Sequence, residues 1–428
     1  MVKDFLSLLL ARLGNPVVLA ALLLAALVYS GVVHLADRHA FFVPVEREAL
    51  CEIKGTISTN PVKNRRGTSY TCRLVAESVT AVVRGSTITA SAAGEVAVSI
   101  PAAAVEAFYP GRLYSRAASQ ALLAEVGERV RCTGQWVPSA ELFRVRSVEA
   151  TGHSPGVAGK VLHVRSLCRL FFKRLMFSWG AAGALVLSLL SGSRDYLDPS
   201  VGDSFRLAGL SHVLALSGMH LSFFSGLAGS VGAGLFGKKY RAVLGLVGIA
   251  FFVWFAGLSP SLLRALLCAL FMLAAMAVFC TEVDFFAVLS AVFLVHAVLV
   301  PSDVQDAAFM LSYGALAGIL LFSDAVHAML VRLVPPALSA GISAAVGAQV
   351  ATVPVCANVF GTVMPVGIVS SVVVSPLVSL FLALAVCGIL ASLALPFLSP
   401  LFGTVLNWLY AALLGLVELF SRVPPLVF

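Results

Sequence analysis

The sequence predicts a polytopic α-helical membrane protein with a small, β-rich extracytoplasmic insert after its first transmembrane helix. Two observations carry the membrane assignment. Of 428 residues, 59% are hydrophobic and only 12% charged, against about 25% charged in an ordinary soluble domain, and mean hydropathy is +0.97. Two or three soluble domains of this length could not hide so much apolar surface. The insert is located by charge. Between Asp37 and Ser178 there are 19 Lys and Arg against 11 Asp and Glu, which accounts for the whole net charge of +8 and leaves the rest neutral.

Taken in order, Pro16 to Val33 is an 18-residue apolar run, just long enough to cross a hydrocarbon core of about 30 Å. Lys3 and Arg12 precede it and place the N-terminus in the cytoplasm. A cleaved signal peptide is the rival reading, but the run is long for one and no small-x-small site precedes His34-Leu35-Ala36-Asp37. Residues 1–36 are therefore expected to be an uncleaved anchor, and residues 37–155 to lie outside. That stretch alternates in polarity at Cys51–Ile57, Thr71–Val75, Glu128–Val137 and Phe143–Arg146, with turn signals at Asn60-Pro61 and Asn64–Gly67. Several short strands over about 100 residues suggest a small barrel or sandwich. Arg129, Arg131, Arg144 and Arg146 fall on the polar faces, and Trp136, Tyr70 and Phe143 are available as aromatic platforms. Cys51, Cys72 and Cys132 lie here too; in an oxidising compartment two of them can pair, the alternative being buried free thiols.

Residues 156–177 read as an amphipathic basic helix at the membrane interface, with Arg165, Arg169, Lys173 and Arg174 among Val, Leu and Phe. Residues 178–428 form the polytopic part, with about seven to ten helices. Its runs include Ser178–Leu190, Leu207–Gly237, Ala242–Leu263, Ala265–Thr281, Phe285–Val300 and Ala307–Phe322, and Leu333–Val417 carries no Asp, Glu, Lys, Arg or His. Ser217-Gly218, Val353-Pro354 and Ser375-Pro376 interrupt spans. A broken helix in a bilayer must line protein or a wet cavity, although Gly and Pro are also common in membrane helices.

An ionisable group at bilayer depth costs at least about 2.5–3.5 kcal/mol, which makes the few present informative. Arg206 precedes a polar stretch holding Ser211, His212, Ser217, Gly218 and His220. Four readings stand for it: a path lining, hydrogen bonds between helices, a Ser217–His220 nucleophile and base without an orienting acid, or a His212–His220 metal site without a third ligand. Ser259-Pro260 marks a helix start with Arg264 one turn inside. Arg264 suits an anionic polymer or a buried acid, Asp303 or Asp306, unless it snorkels to the interface. Lys238, Lys239 and Arg241 read as a cytoplasmic topology signal.

The stretch Ala208-Gly209-Leu210-Ser211-His212-Val213-Leu214-Ala215-Leu216-Ser217-Gly218-Met219-His220 resembles the hallmark of the ComEC family of competence proteins, inner-membrane channels for DNA uptake. Three further segments resemble the family's motifs in its order: Ser259-Pro260-Ser261 to Arg264-Ala265, Asp306 to Ser312, and Val353-Pro354 through Phe360-Gly361 into Ser375-Pro376-Leu377. The resemblance implies an OB-like β-barrel for the insert and a path for single-stranded DNA, with Arg206, Ser211, His212, Ser217, Gly218, His220, Ser259, Pro260, Arg264, Asp306 and Pro354 as its motif residues. Arg129, Arg131, Trp136, Arg144 and Arg146 would contact DNA outside the membrane, as basic and stacking groups do in such folds. Family members commonly end in a metallo-β-lactamase-like domain, whereas this chain ends at Phe428 without an HxHxDH cluster. A DNA receptor, a cytoplasmic motor and a separately encoded nuclease are accordingly the expected partners, with a homo-oligomer also open.

The sequence has no Walker A motif, and no catalytic residue, metal or cofactor is assigned. The competing functions are a transporter of another, anionic solute with an outer binding module, and an intramembrane Ser217/His220 hydrolase.

Overall fold

The computed structural model describes residues 14–33, 40–83, 85–106, 125–279 and 284–428, with no side-chain description for 276–279. The orienting Lys3 and Arg12, the His34–Asp37 segment, Cys280 and Thr281 lie outside these residues. The chain divides into two compact units, one of Met1–Ala36, Ser200–Leu384 and Leu409–Phe428, the other of Asp37–Pro199 and Ala385–Trp408.

The second unit contains one mixed sheet of seven strands, β1 (Leu50–Ile57), β2 (Val62–Lys63), β3 (Ser69–Val83), β4 (Ser86–Ser91), β5 (Glu95–Pro101), β6 (Glu128–Val137) and β7 (Leu142–His153). Strand β1 pairs antiparallel with both β3 and β6. β3 pairs antiparallel with β5, β5 parallel with β7, and β7 antiparallel with β6. The pairing path β1–β6–β7–β5–β3 thus returns to β1, while β2 and β4 hang on β3. Period-two burial follows the sequence alternation: Tyr70, Cys72, Leu74 and Ala76 of β3 point into one core with Ile53, Val98, Cys132 and Phe143. Tyr70 and Phe143 are at most 1% exposed, so neither is the aromatic platform the sequence offered. The three insert cysteines are free thiols, not a disulfide; burial pushes the Cys72 and Cys132 thiols up to about 12.

The basic helix forms, α3 (Gly156–Ser178) following the short α2 (Ala102–Glu106), but with its faces exchanged relative to the expectation. Arg165, Arg169, Lys173 and Arg174 are buried, while Val157, Val161, Val164, Leu167 and Phe171 are exposed. The reason is a set of acids distant in sequence. Arg169 Nε donates to Glu125 at 2.8 Å, and Lys173 Nζ lies 2.9 Å from Glu125 and 3.2 Å from Asp195. Arg165 donates to Asn60 at 3.0 Å. After Trp179 the chain turns into α4 (Gly180–Ser191), and Asn407 ties the corner by donating to the Trp179 carbonyl and accepting from Ala182 N–H.

The first unit is helical. It holds α1 (Pro16–Tyr29), α5 (Pro199–Leu207), α6 (Ser211–Leu214), α7 (Gly218–Phe236), α8 (Arg241–Ala256), α9 (Pro260–Phe279), α10 (Phe285–Leu299), α11 (Ala307–Leu330) and α12 (Pro336–Phe360). It also takes most of α13 (Gly367–Ala394), part of α14 (Ser399–Ser421), and the two-stranded β8 (Thr362–Val363) and β9 (Leu426–Val427). Among the described residues six helices are long and apolar enough to cross a membrane. Helix α9 runs 20 residues, whereas α4 stops at 12 and α10 at 15, against about 20 for a full crossing. The predicted anchor is likewise a 14-residue helix. Helices α11 and α12 meet through Gly318 and Gly347: a Cβ at Gly318 would lie 2.2 Å from the Gly347 carbonyl, the close approach that small residues permit.

Breaking the buried ion set has a definite sign. Burial pushes the Glu125 carboxyl up, but Arg169, Lys173 and Arg165 together hold it at about 2, below the ordinary value of about 4.3. Its contribution is complete above the ordinary value and is lost as pH falls toward about 2. Glu125→Gln is expected to cost about 3–5 kcal/mol by taking the carboxylate from buried Arg169, Lys173 keeping Asp195, and to remove that acid-limb dependence, read by thermal unfolding across pH.

Candidate functional site

The predicted span Leu207–Gly237 is not one helix but two, α6 and α7, following the last residue of α5. α5 ends at Leu207, Gly209 takes φ +73°, α6 lasts one turn, and the chain runs extended through Ala215 to Ser217, the N-cap of α7. Gly209 is required twice over, by its left-handed conformation and because a Cβ there would lie 2.6 Å from Gly367 Cα. An interruption in apolar surroundings leaves carbonyls without helical partners. Ser370 Oγ donates to the Ala208 carbonyl at 2.6 Å, and Ser261 Oγ to the Leu216 carbonyl at 2.5 Å. Motif segments far apart in sequence are thereby drawn to one place.

Ser217 and His220 do meet. The Ser217 backbone N–H donates to His220 Nδ1 at 3.2 Å, and the Ser217 hydroxyl lies 3.2 Å from the same nitrogen. The imidazole is fully buried and stacks on Phe252. Its Nδ1 lone pair is thus engaged in capping α7, and Nε2 has no partner among the described residues. Among the described residues no acid contacts the imidazole to complete a triad, so the geometry is that of a helix cap. His212 is exposed, and among the described residues no group of three or more His, Cys, Asp or Glu could hold a metal. Arg206 is exposed at the end of α5, 3.8 Å from Asp203.

Ser259 and Pro260 start α9 as expected, with Ser259 Oγ accepting from Leu262 N–H. Arg264 is not paired with Asp303 or Asp306. Its guanidinium donates to the Ser312 carbonyl and lies over the Tyr313 ring, 5.9 Å from the centroid. Asp306 instead caps α11, accepting from Ala308 N–H, and Asp303 accepts from His296. Both acids are held by shorter local contacts. Pro354 sits inside α12, where it removes one helical hydrogen bond.

These elements line an open cavity of about 790 Å³ in the first unit. Gly218, Ser222 and Ser225 of α7 form one wall, and Arg264 and Cys268 of α9 another. Gly218 faces Arg264 directly, since a Cβ there would be 3.9 Å from Arg264 Nη2. Lys238, Lys239 and Arg241 line it as well, together with apolar Leu221, Ile249 and Leu316. In sequence those three read as a topology signal; at the α7–α8 turn they also join the lining. Four cations and no acid therefore line this space, a wall suited to an anion.

On the β unit, Arg129 is held by Glu77, and Arg131 lies 3.5 Å from Glu52 and 3.9 Å from Glu149. Among the described residues Arg144 and Arg146 are exposed without an acidic partner. Trp136 is half-buried and stacked on Phe41 at 6.2 Å, with the Arg47 guanidinium 5.5 Å from its ring.

The family model described as "Competence protein" matches residues 189–427, more than half of the chain. The chain belongs to the competence protein family. No curated protein and no solved structure matches it significantly. The matched region contains the interrupted helix, the α9 start and the whole lining of the cavity.

Gly209→Ala is expected to destabilise the chain by at least about 1–2 kcal/mol through its left-handed backbone alone. A lowered thermal-unfolding midpoint, with Gly202→Ala as a control that meets nothing within 4 Å, is the check.

Proposed function

We propose that this chain is a channel of the inner membrane that passes single-stranded DNA into the cytoplasm during natural transformation. The cavity carries the reading: its wall holds Arg264, Lys238, Lys239 and Arg241 with small and hydroxyl residues opposite. Such a surface suits a phosphodiester backbone without reading its bases. Membership of the competence family and six helices of spanning length support the membrane setting.

In this reading the N-terminus is cytoplasmic and residues 37–155 are extracytoplasmic. The closed pairing path of five strands with one parallel pair supports an OB-like barrel, with Arg144, Arg146 and Trp136 as its DNA-facing groups. Arg129 and Arg131, tied to acids, would contribute less. A DNA receptor, a motor, a separate nuclease and a second copy of the chain are the proposed partners.

The test is binding of a fluorescent oligothymidylate to the full chain in lipid nanodiscs across a salt series. Affinity should fall steeply with salt, and Arg264→Ala should weaken binding and reduce the log–log slope by about 0.7, the loss of one single-strand phosphate contact. In a deletion strain the same variant should lower transformation while DNA still binds the cell surface. Binding indifferent to both salt and Arg264, or inorganic phosphate competing as well as the oligonucleotide, would reject DNA as the substrate.

A further inference from the structure

Behind Arg264 lies a polar cluster that the channel reading does not use. His296, near the end of α10, is fully buried. Its Nε2 lies 3.1 Å from Asp303 Oδ2 and its Nδ1 3.1 Å from the Tyr313 hydroxyl. Tyr313 Oη is also 3.4 Å from the Val292 carbonyl. Phe309 packs edge-on against the imidazole at 4.9 Å, and Phe293 packs against Phe309 and Tyr313. Solvent reaches the cluster at Asp303, whose side chain is 24% exposed between exposed Ser302 and Gln305.

This geometry satisfies two protonation states without moving a heavy atom. With a neutral ring, Nε2–H donates to the Asp303 carboxylate and Nδ1 accepts from the Tyr313 hydroxyl. With an added proton on Nδ1, that N–H donates to Tyr313 Oη and the tyrosine hydrogen turns to the Val292 carbonyl. The imidazolium is then paired with Asp303. Only a hydroxyl rotation separates the states, and every proton has an acceptor in each. Histidine is the side-chain type that changes charge between about pH 5 and 8, and an ionisable cluster inside an apolar helical unit is a functional candidate by its cost.

We propose that Asp303, His296 and Tyr313 form a proton-binding site, with His296 as the seat of the proton, and that its occupancy sets how strongly Arg264 presents positive charge to the cavity. Tyr313 is the link: its ring lies under the Arg264 guanidinium, and the preceding carbonyl, of Ser312, accepts from that guanidinium. The other groups around the imidazole are accounted for. From α9 come Arg264 and Cys268, from α11 Tyr313 and the helix-capping Asp306, from the Pro301–Gln305 turn Asp303, and from α1 Tyr29, which donates to the Val304 carbonyl. Without the proton the Asp303–His296 pair carries one negative charge that offsets Arg264; with it the pair is neutral. Protons and a polyanion therefore bind cooperatively, and by linkage each strengthens the other. The Tyr29 bond also puts the site at the C-terminal end of α1, which in the proposed topology is the extracytoplasmic face.

The coupling rests on the channel reading; the proton site does not. Histidine-selective nitrogen-15 solid-state NMR of the full chain in lipid bilayers tests the site directly. The signal lost in His296→Gln should be the Nε2–H tautomer near pH 8 and a hydrogen-bonded imidazolium near pH 5, and Tyr313→Phe should shift its Nδ1 resonance. A ring that is the Nδ1–H tautomer near pH 8, or stays neutral near pH 5, overturns the proposal. Oligothymidylate binding then tests the coupling: wild-type affinity should rise about fivefold or more on acidification, and His296→Gln should flatten that rise while keeping alkaline affinity. A rise that survives His296→Gln overturns the coupling. Absence of oligonucleotide binding at every pH rejects the channel reading instead, with the proton site still decided by the NMR result.

Discussion

An interrupted helix in apolar surroundings survives only if its stranded backbone groups find other partners, and the membrane unit is organised around that constraint. Between Leu207 and Gly218 the chain abandons helical bonding twice. The Ala208 and Leu216 carbonyls are met by hydroxyls from Ser370 and Ser261. The same need recurs nearby, where Gln349 donates to the Met364 carbonyl in the loop after α12. In hydrocarbon each unmet group would cost several kcal/mol. The donors therefore fix where α9, α12 and α13 stand around the break.

The cationic wall follows from that arrangement. Because Ser261 must reach the Leu216 carbonyl, Arg264, one turn further along α9, is brought to Gly218. The α7–α8 turn then adds Lys238, Lys239 and Arg241 to the same cavity. Family membership says that this region is the competence-type domain; the carbonyl-capping pattern says why its scattered motifs form one site.

Much of this was legible in the sequence where the signal is local. Alternation gave the strands and their outward arginines, Ser259-Pro260 gave the α9 start, and Ser217-Gly218 gave a break. Strand parity should also have excluded Tyr70 and Phe143 as stacking platforms, since Arg144 and Arg146 outward place Phe143 and Val145 inward. What was not legible depended on distant partners. Helix α3 reads as an interfacial basic helix until Glu125 and Asp195 turn its charges inward. Asp303 looks available to Arg264 until His296 claims it. The lysine turn looks like a topology signal until α9 comes to face it.

The central claim is that the broken start of α7 opens onto a wet, cation-lined path rather than packing dry against its neighbours. Cysteine accessibility measures this most directly. In a cysteine-free full chain in nanodiscs, Ser222→Cys and Ser225→Cys, which line the cavity, should react with a water-soluble maleimide and be protected by single-stranded oligonucleotide. Leu235→Cys, exposed on α7 but outside the cavity lining, should not be protected. Unreactive cysteines at 222 and 225, or labelling that the oligonucleotide leaves unchanged, would contradict the account.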